Sequence, residues 1–99
     1  MEGQKITVVA RFKARAGMEE DLKSELLKLL GPGRSDDGCI NYDLHQAVDE
    51  PGLFLFYENW QSRKHLEKHS ATPRLQAFRS TVKDWLAEPP VVTLFEMIG

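Results

Sequence analysis

The chain predicts an α+β domain of ferredoxin-like order, β-α-β-β-α-β, with an antiparallel sheet carrying helices on one face. Three observations lead there. Two segments alternate apolar and polar residues with a period of two, and two more are short apolar runs bounded by turn signals, as strands are. Two longer segments repeat leucines and aromatics at helical spacing, one after the first strand and one after the third. Glycine and proline punctuate the joints between them.

Lys5 to Arg15 sets Ile6, Val8, Ala10 and Phe12 against Thr7, Val9, Arg11 and Lys13, a strand with one clearly apolar face. Gly17 interrupts it. Met18, Leu22, Leu26 and Leu29/Leu30 then mark an amphipathic helix over Met18–Leu30. Glu19 and Glu20 in its first turn and Lys28 near its last complement the helix dipole, and Glu19→Lys23 adds an i,i+4 pair. Gly31-Pro32-Gly33 is expected to stop this helix, leaving Arg34–Asp37 as a loop. The second strand, Cys39–Gln46, alternates Cys39, Asn41, Asp43 and His45 with Ile40, Tyr42, Leu44 and Gln46. Asp49-Glu50-Pro51-Gly52 forms a turn, because proline presets one turn dihedral and glycine tolerates positive φ. The third strand, Leu53–Trp60, places Phe54, Phe56, Glu58 and Trp60 on one side and Leu53, Leu55, Tyr57 and Asn59 on the other. Ser62 caps a short helix to about Ser70. Thr72 followed by Pro73 is a sharper start signal, and Leu75, Phe78, Val82 and Trp85/Leu86 give the stripe of a helix over Pro73–Leu86. Pro89-Pro90 ends it, and Val91–Ile98 closes the chain as a strand.

With 99 residues there is room for one domain and a modest core. Hydrophobic residues make up 41% and charged residues 28%, which is ordinary globular composition. A formal net charge of −2, with bases and acids interspersed, argues against nucleic acid as a partner. No apolar run approaches the ~20 residues of a membrane span, so no membrane partner is expected. The opening MEGQKITVV lacks the basic-then-apolar order of a signal peptide, and a single cysteine, Cys39, cannot form an internal disulfide. A cytoplasmic protein is the expectation. Strands three and four are apolar on both faces, whereas helices in so short a chain cover only one. The other face calls for a partner, and a second copy packing sheet on sheet is the simplest, so a homodimer is expected.

Three sets of residues invite a chemical reading. His65 and His69 are i,i+4 on one helix, a spacing found in zinc sites. Yet Glu67 lies ~200° around the helix from His65 and no further ligands cluster nearby, so no metal site is expected. Nor does a glycine-rich cofactor loop occur between a strand and a helix. Glu58 is more informative, as a carboxylate sharing a strand face with Phe54, Phe56 and Trp60. It either makes a structural hydrogen bond or an ion pair, with Arg11 for example, or serves as a proton acceptor with a pKa raised by desolvation. His45 on the neighbouring strand is a candidate to share or relay that proton. His69, taken as partly exposed, is the third candidate base, with Tyr42, Tyr57 and Asn41 behind it. Cys39 reads as a structural thiol.

The motifs G-C-x-x-Y-x-L-H (Gly38–His45), F-x-x-Y-E-x-W (Phe54–Trp60) and H-x-x-T-P-x-x-x-x-F (His69–Phe78) together resemble the antibiotic biosynthesis monooxygenase domain family. Almost the whole chain takes part. The resemblance implies a dimeric α+β barrel and a cofactor-free oxidation of a small quinol or polyphenol-like aromatic by dioxygen. It implies a site between sheet and helices with Trp60 and His69 on its wall and Glu58 within reach. In that reading His69, Glu58 or His45 supplies the base, and Asn41, Phe54, Phe56, Trp60 and Phe78 hold the substrate. The haem-degrading relatives also use an asparagine on the first strand, where this chain offers Ala10, Arg11 and Phe12. An isomerase acting on a small carbonyl metabolite, or a non-catalytic dimeric binding module, would use the same pocket without oxygen.

Overall fold

Four strands, β1 (Ile6–Lys13), β2 (Cys39–Gln46), β3 (Leu53–Trp60) and β4 (Val91–Phe95), pair in one sheet of order β2-β3-β1-β4. In this computed structural model, which describes residues 4–99, every one of those pairings is antiparallel. The helices are α1 (Glu19–Lys28), α2 (Leu30–Arg34), α3 (Arg63–Ser70) and α4 (Pro73–Val82), followed by a 3-10 turn at Lys83–Trp85. The register brings Val8, Glu58 and Tyr42 into one row and Ala10, Phe56 and Leu44 into the next. These rows share a buried face with Phe12, Phe54 and Trp60, and against it pack Leu22, Leu26, Leu66, Leu75, Phe78 and Val82 from the helices. The helices thus cover one side of the sheet, and the ferredoxin-like α+β class read from the sequence is the architecture found. Among the described residues no helix is long and apolar enough to cross a membrane.

Several boundaries differ from expectation, each for a local reason. Helix α1 ends at Lys28, and Gly31-Pro32-Gly33 lies inside the short helix α2 instead of stopping the chain. Pro32 falls in the first turn of α2, where its missing N–H is no loss. Gly33 is buried there because Tyr42 lies against it: a Cβ at this position would sit 2.4 Å from the Tyr42 ring. Helix α4 stops at Val82, short of Leu86, and the 3-10 turn hands the chain to β1. Trp85 O accepts from Arg15 N and Ala87 N donates to Lys13 O, both at 2.8 Å. In β2 a bulge between Cys39 and Asn41 breaks the expected alternation. Its extra residue pairs Cys39 with Trp60 and turns it inward, while Asn41 pairs with Asn59. β1 and β4 are shorter than the Lys5–Arg15 and Val91–Ile98 spans expected. All five residues of β4, the edge strand beside β1, are exposed, Val92 and Phe95 among them.

Gly38, which leads into β2, has φ +81°, and a Cβ there would lie 2.2 Å from the His65 ring. Gly17 has a similar φ of +93° with open space around it. Gly17→Ala is therefore expected to cost about 1 kcal/mol through the backbone alone, and Gly38→Ala at least about 2 kcal/mol, because α3 must also shift. Equal losses in urea unfolding would show that the His65 contact carries no weight.

Candidate active site

A cavity of about 130 Å³ lies between the inner sheet face and helices α3 and α4. Its walls come from Val8, Ala10, Phe12 and Phe56 on the sheet and Leu66, Leu75 and Phe78 on the helices. Glu58, His69, Tyr42, Ser70 and Arg79 supply polar groups, and Pro90 and Val92 stand on the β4 side. The local sequence explains how His69 gets there. Ser62 caps α3 by accepting from His65 N, and Leu66 and His69 form its buried stripe at i,i+3 spacing. Thr72 then caps α4 by accepting from Leu75 N, while its hydroxyl donates to His69 O at 3.0 Å. The corner between the two helices is thereby tied to the histidine it presents.

Glu58 is only 4% exposed, and Trp60 Nε1 donates to its Oε1 at 2.9 Å. Burial raises its pKa to about 7, against the smaller opposing effect of the Trp60 hydrogen bond. It has no ion pair with Arg11, whose position opposite Leu55 places it on the other face of the sheet. His69 is likewise buried at 4% exposure, contrary to the partly exposed position expected for it. Burial lowers its pKa and outweighs the hydrogen bond that favours its charged form, so the ring is neutral near pH 7. That bond joins His69 Nδ1 to Asp36 Oδ2 at 2.7 Å, and Asp36 also accepts from Arg74. Burial alone would raise the Asp36 carboxyl, but His69 and Arg74 together hold it below its ordinary value. The His69 ring stands 4.4 Å from Trp60 and meets Tyr42 edge-on at 5.3 Å. Burial, followed by the nearby Glu58, keeps the Tyr42 phenol protonated by pushing its pKa up.

The structure brings together His69, Glu58, Phe56 and Phe78 around the cavity, with Trp60 directly behind Glu58 and His69. Phe54 is buried in the core and does not reach the cavity wall. His45 and Asn41 lie apart from the site. His45 pairs with Leu55 and Asn41 with Asn59, positions on the opposite sheet face from Glu58, because the polar set of β2 points outward while Tyr42 and Leu44 point in. Tyr57 is exposed on that same outer face. His65 and His69 turn to different partners, Ser62 and Asp36, and among the described residues no cluster of three potential ligands surrounds a metal position. Sequence reasoning missed Asp36, Arg74 and Arg79. Asp36 sat in a stretch read as a plain loop, and only the 33-residue separation closed by the fold brings it to His69.

Glu58 generates a stability test with a definite sign. Its folded pKa of about 7 exceeds the ordinary carboxylate value, so the folded state binds the proton more tightly than the unfolded chain. The stability this confers is complete below the unfolded pKa of ~4.3 and is lost as pH rises through 7. Glu58→Gln can still accept from Trp60 but never ionises. It is expected to exceed the wild type in stability at pH 8 by roughly 3 kcal/mol, with the gap closing only below about pH 4. Chemical denaturation of both proteins at one concentration measures it; a gap that does not change with pH would mean Glu58 is not desolvated.

The sequence pattern of the antibiotic biosynthesis monooxygenase family matches residues 5–81. A Mycobacterium tuberculosis protein named "Putative monooxygenase Rv0793" is 35% identical over 89 residues, covering 90% of this chain and 87% of that protein. The Escherichia coli "Probable quinol monooxygenase YgiN" is 27% identical over 88 residues, covering 79% of this chain and 85% of its own length. The solved structure of Rv0793 superposes with a TM-score of 0.91 at 30% identity, over 97% of both chains. That of PA3566 from Pseudomonas aeruginosa gives 0.91 at 28% identity, over 100% of this chain and 99% of that one. The chain belongs to the antibiotic biosynthesis monooxygenase family.

Proposed function

We propose that this protein is a cofactor-independent monooxygenase that oxidises a small quinol or polyphenol-like aromatic with dioxygen, in the cytoplasm and as a homodimer. The observation that carries the reading is a desolvated acid–base pair, Glu58 and His69, in one aromatic-walled cavity. Its volume of about 130 Å³ is of the size that admits a single aromatic ring, since engineered apolar cavities of ~150 Å³ bind benzene. The names of the two relatives support the same class of chemistry.

Dioxygen reacts slowly with ordinary organic molecules, but an electron-rich phenolate can itself donate an electron to it. The protein's task is then to ionise the ring hydroxyl and manage protons. Neutral His69 accepts the hydroxyl proton, and the cavity holds the anion away from water. The phenolate transfers one electron to dioxygen, and combination of the two radicals forms a ring carbon–oxygen bond. Cleavage of the resulting O–O bond leaves one oxygen on the ring, and the ring carbon loses its hydrogen as a proton. Protons held by His69 and Glu58 go to the other oxygen, which leaves as water. Hydroquinone and dioxygen thus give hydroxyquinone and water, the ring losing four electrons and dioxygen gaining four. A Glu58 pKa near 7 suits donation and acceptance in one cycle.

His69→Asn is the sharper variant than His69→Ala, because alanine would open a void and take one of the two donors from Asp36, whereas the asparagine amide can still donate to it. Oxygen uptake with a hydroquinone that the wild type oxidises should fall ~10²–10⁴-fold, the range of general-base catalysis. Undiminished uptake removes His69 from the mechanism. A wild type that consumes no oxygen across a hydroquinone panel, yet turns over a small carbonyl compound, replaces the oxidation with isomerase chemistry.

Association is the second expectation. Val91, Val92, Phe95 and Tyr57 leave apolar surface along β4 and on the outer sheet face, which a second copy would cover. Sedimentation at micromolar concentration should give twice the 11.3 kDa chain mass. A stable monomer rules the dimer out.

A further inference from the structure

The side chain left over by the site is Asp36, which does not line the inner cavity but holds the histidine that does. His69 stands between two spaces. One is the inner cavity, and the other is a smaller pocket lined by Asp36, Asp37, His65, Lys68 and Thr72. Nδ1 faces Asp36 on the side of the smaller pocket, so Nε2, across the ring, is the nitrogen left for the inner cavity. An ionised carboxylate only accepts hydrogen bonds, so the proton shared at 2.7 Å belongs to Nδ1 and Nε2 carries the lone pair. Arg74 holds Asp36 ionised and in place from the first turn of α4, through a second bond to the same Oδ2 oxygen.

We propose that Asp36, pinned by Arg74, is the positioning residue that fixes His69 as the Nδ1–H tautomer and presents Nε2 as the base inside the cavity. The inference rests on the proposed role of His69 and adds the group that makes this imidazole competent. The charges acting on the ring are Asp36, which favours the imidazolium, and Arg74 and Arg79, which oppose it, with Glu58 also lining the cavity. Removing Asp36 leaves the two arginines unopposed, so His69 should become a weaker base.

Two measurements test this. Nitrogen-15 NMR of histidine-labelled wild type, with the His69 signal assigned by its loss in His69→Asn, should show the Nδ1–H tautomer at pH 7.5. Asp36→Asn should lose that pure tautomer, lower kcat by ~10–10²-fold with KM unchanged, and move the acid limb of the kcat profile to lower pH. A merely structural Asp36 would not move that limb. An Nε2–H tautomer in the wild type overturns the proposal, as does a folded Asp36→Asn with wild-type kcat and acid limb. The wild-type spectrum, assigned through His69→Asn, does not depend on Asp36→Asn and still decides the tautomer if Asp36→Asn does not fold. Full turnover by His69→Asn overturns the base itself, and the spectrum, read without substrate, separates that failure from a failure of positioning.

Discussion

The inner face of β3 is the constraint on which the remainder is built. This strand has neighbours on both sides, and Phe54, Phe56 and Trp60 must all be removed from water together. Tyr42 stacks on Phe56 at 4.7 Å, Phe12 meets Phe56 and Phe78 edge-on, and the helices lie wherever their leucine stripes complete this aromatic layer. Aromatic burial at this density supplies a large share of the apolar area removed from water. Between Phe12 and Phe56 of this layer and Phe78 of α4 a gap remains beneath α3 and α4. Glu58 lies in the same layer, the one carboxyl among the named residues of that β3 face. The scaffold that stabilises the fold therefore also creates the electrostatic environment of the site.

That environment moves two groups in opposite directions for one physical reason. Desolvation disfavours whichever form is charged, so it raises the pKa of Glu58 and lowers that of His69. The neutral forms gain on both, and a carboxylic acid and a neutral imidazole border one apolar cavity. In water near neutral pH the carboxyl would be ionised and the imidazole partly protonated, a pair with the wrong protons for this exchange. Trp60 and Asp36 act against the trend, each with one hydrogen bond that favours the charged form of its partner. The result is a carboxyl that titrates at about 7 beside an imidazole held on its neutral side.

Most of this was legible in the sequence where a period carried the information. Alternation in Leu53–Trp60 put Glu58 among aromatics, helical spacing exposed both packing stripes, and Thr72-Pro73 marked the start of α4 to the residue. What alternation does not reveal is which side of a strand faces in. His45 and Asn41 belong to the polar set of β2, which points outward, and the bulge at its start moves Cys39 out of that set altogether. Gly31-Pro32-Gly33 misled because proline is helix-breaking in an interior and helix-compatible in a first turn, and nothing local distinguishes the two settings. Asp36 was invisible for a different reason. Its meaning lies in contacts with His69 and Arg74 made across the fold, and no local pattern encodes a partner 33 residues away.

The outer sheet face bears on association through its polar groups as much as its apolar ones. Thr7 donates to Asn59, Asn59 donates to Asn41, Asn41 donates to Asp43, and Arg34 closes the row on Asp43. This chain of hydrogen bonds crosses β1, β3 and β2, and Asn59 within it is already only 5% exposed. A polar group costs most on burial when it loses water and gains nothing in return. Along this row the partners are supplied within the subunit, so covering it would orphan few donors or acceptors. The exposed Tyr57 beside the row adds apolar area whose removal from water is favourable. A row paired in this way can be desolvated at low cost, so the groups on this face that a sheet-on-sheet contact would have to satisfy from the other side are Arg11 and His45.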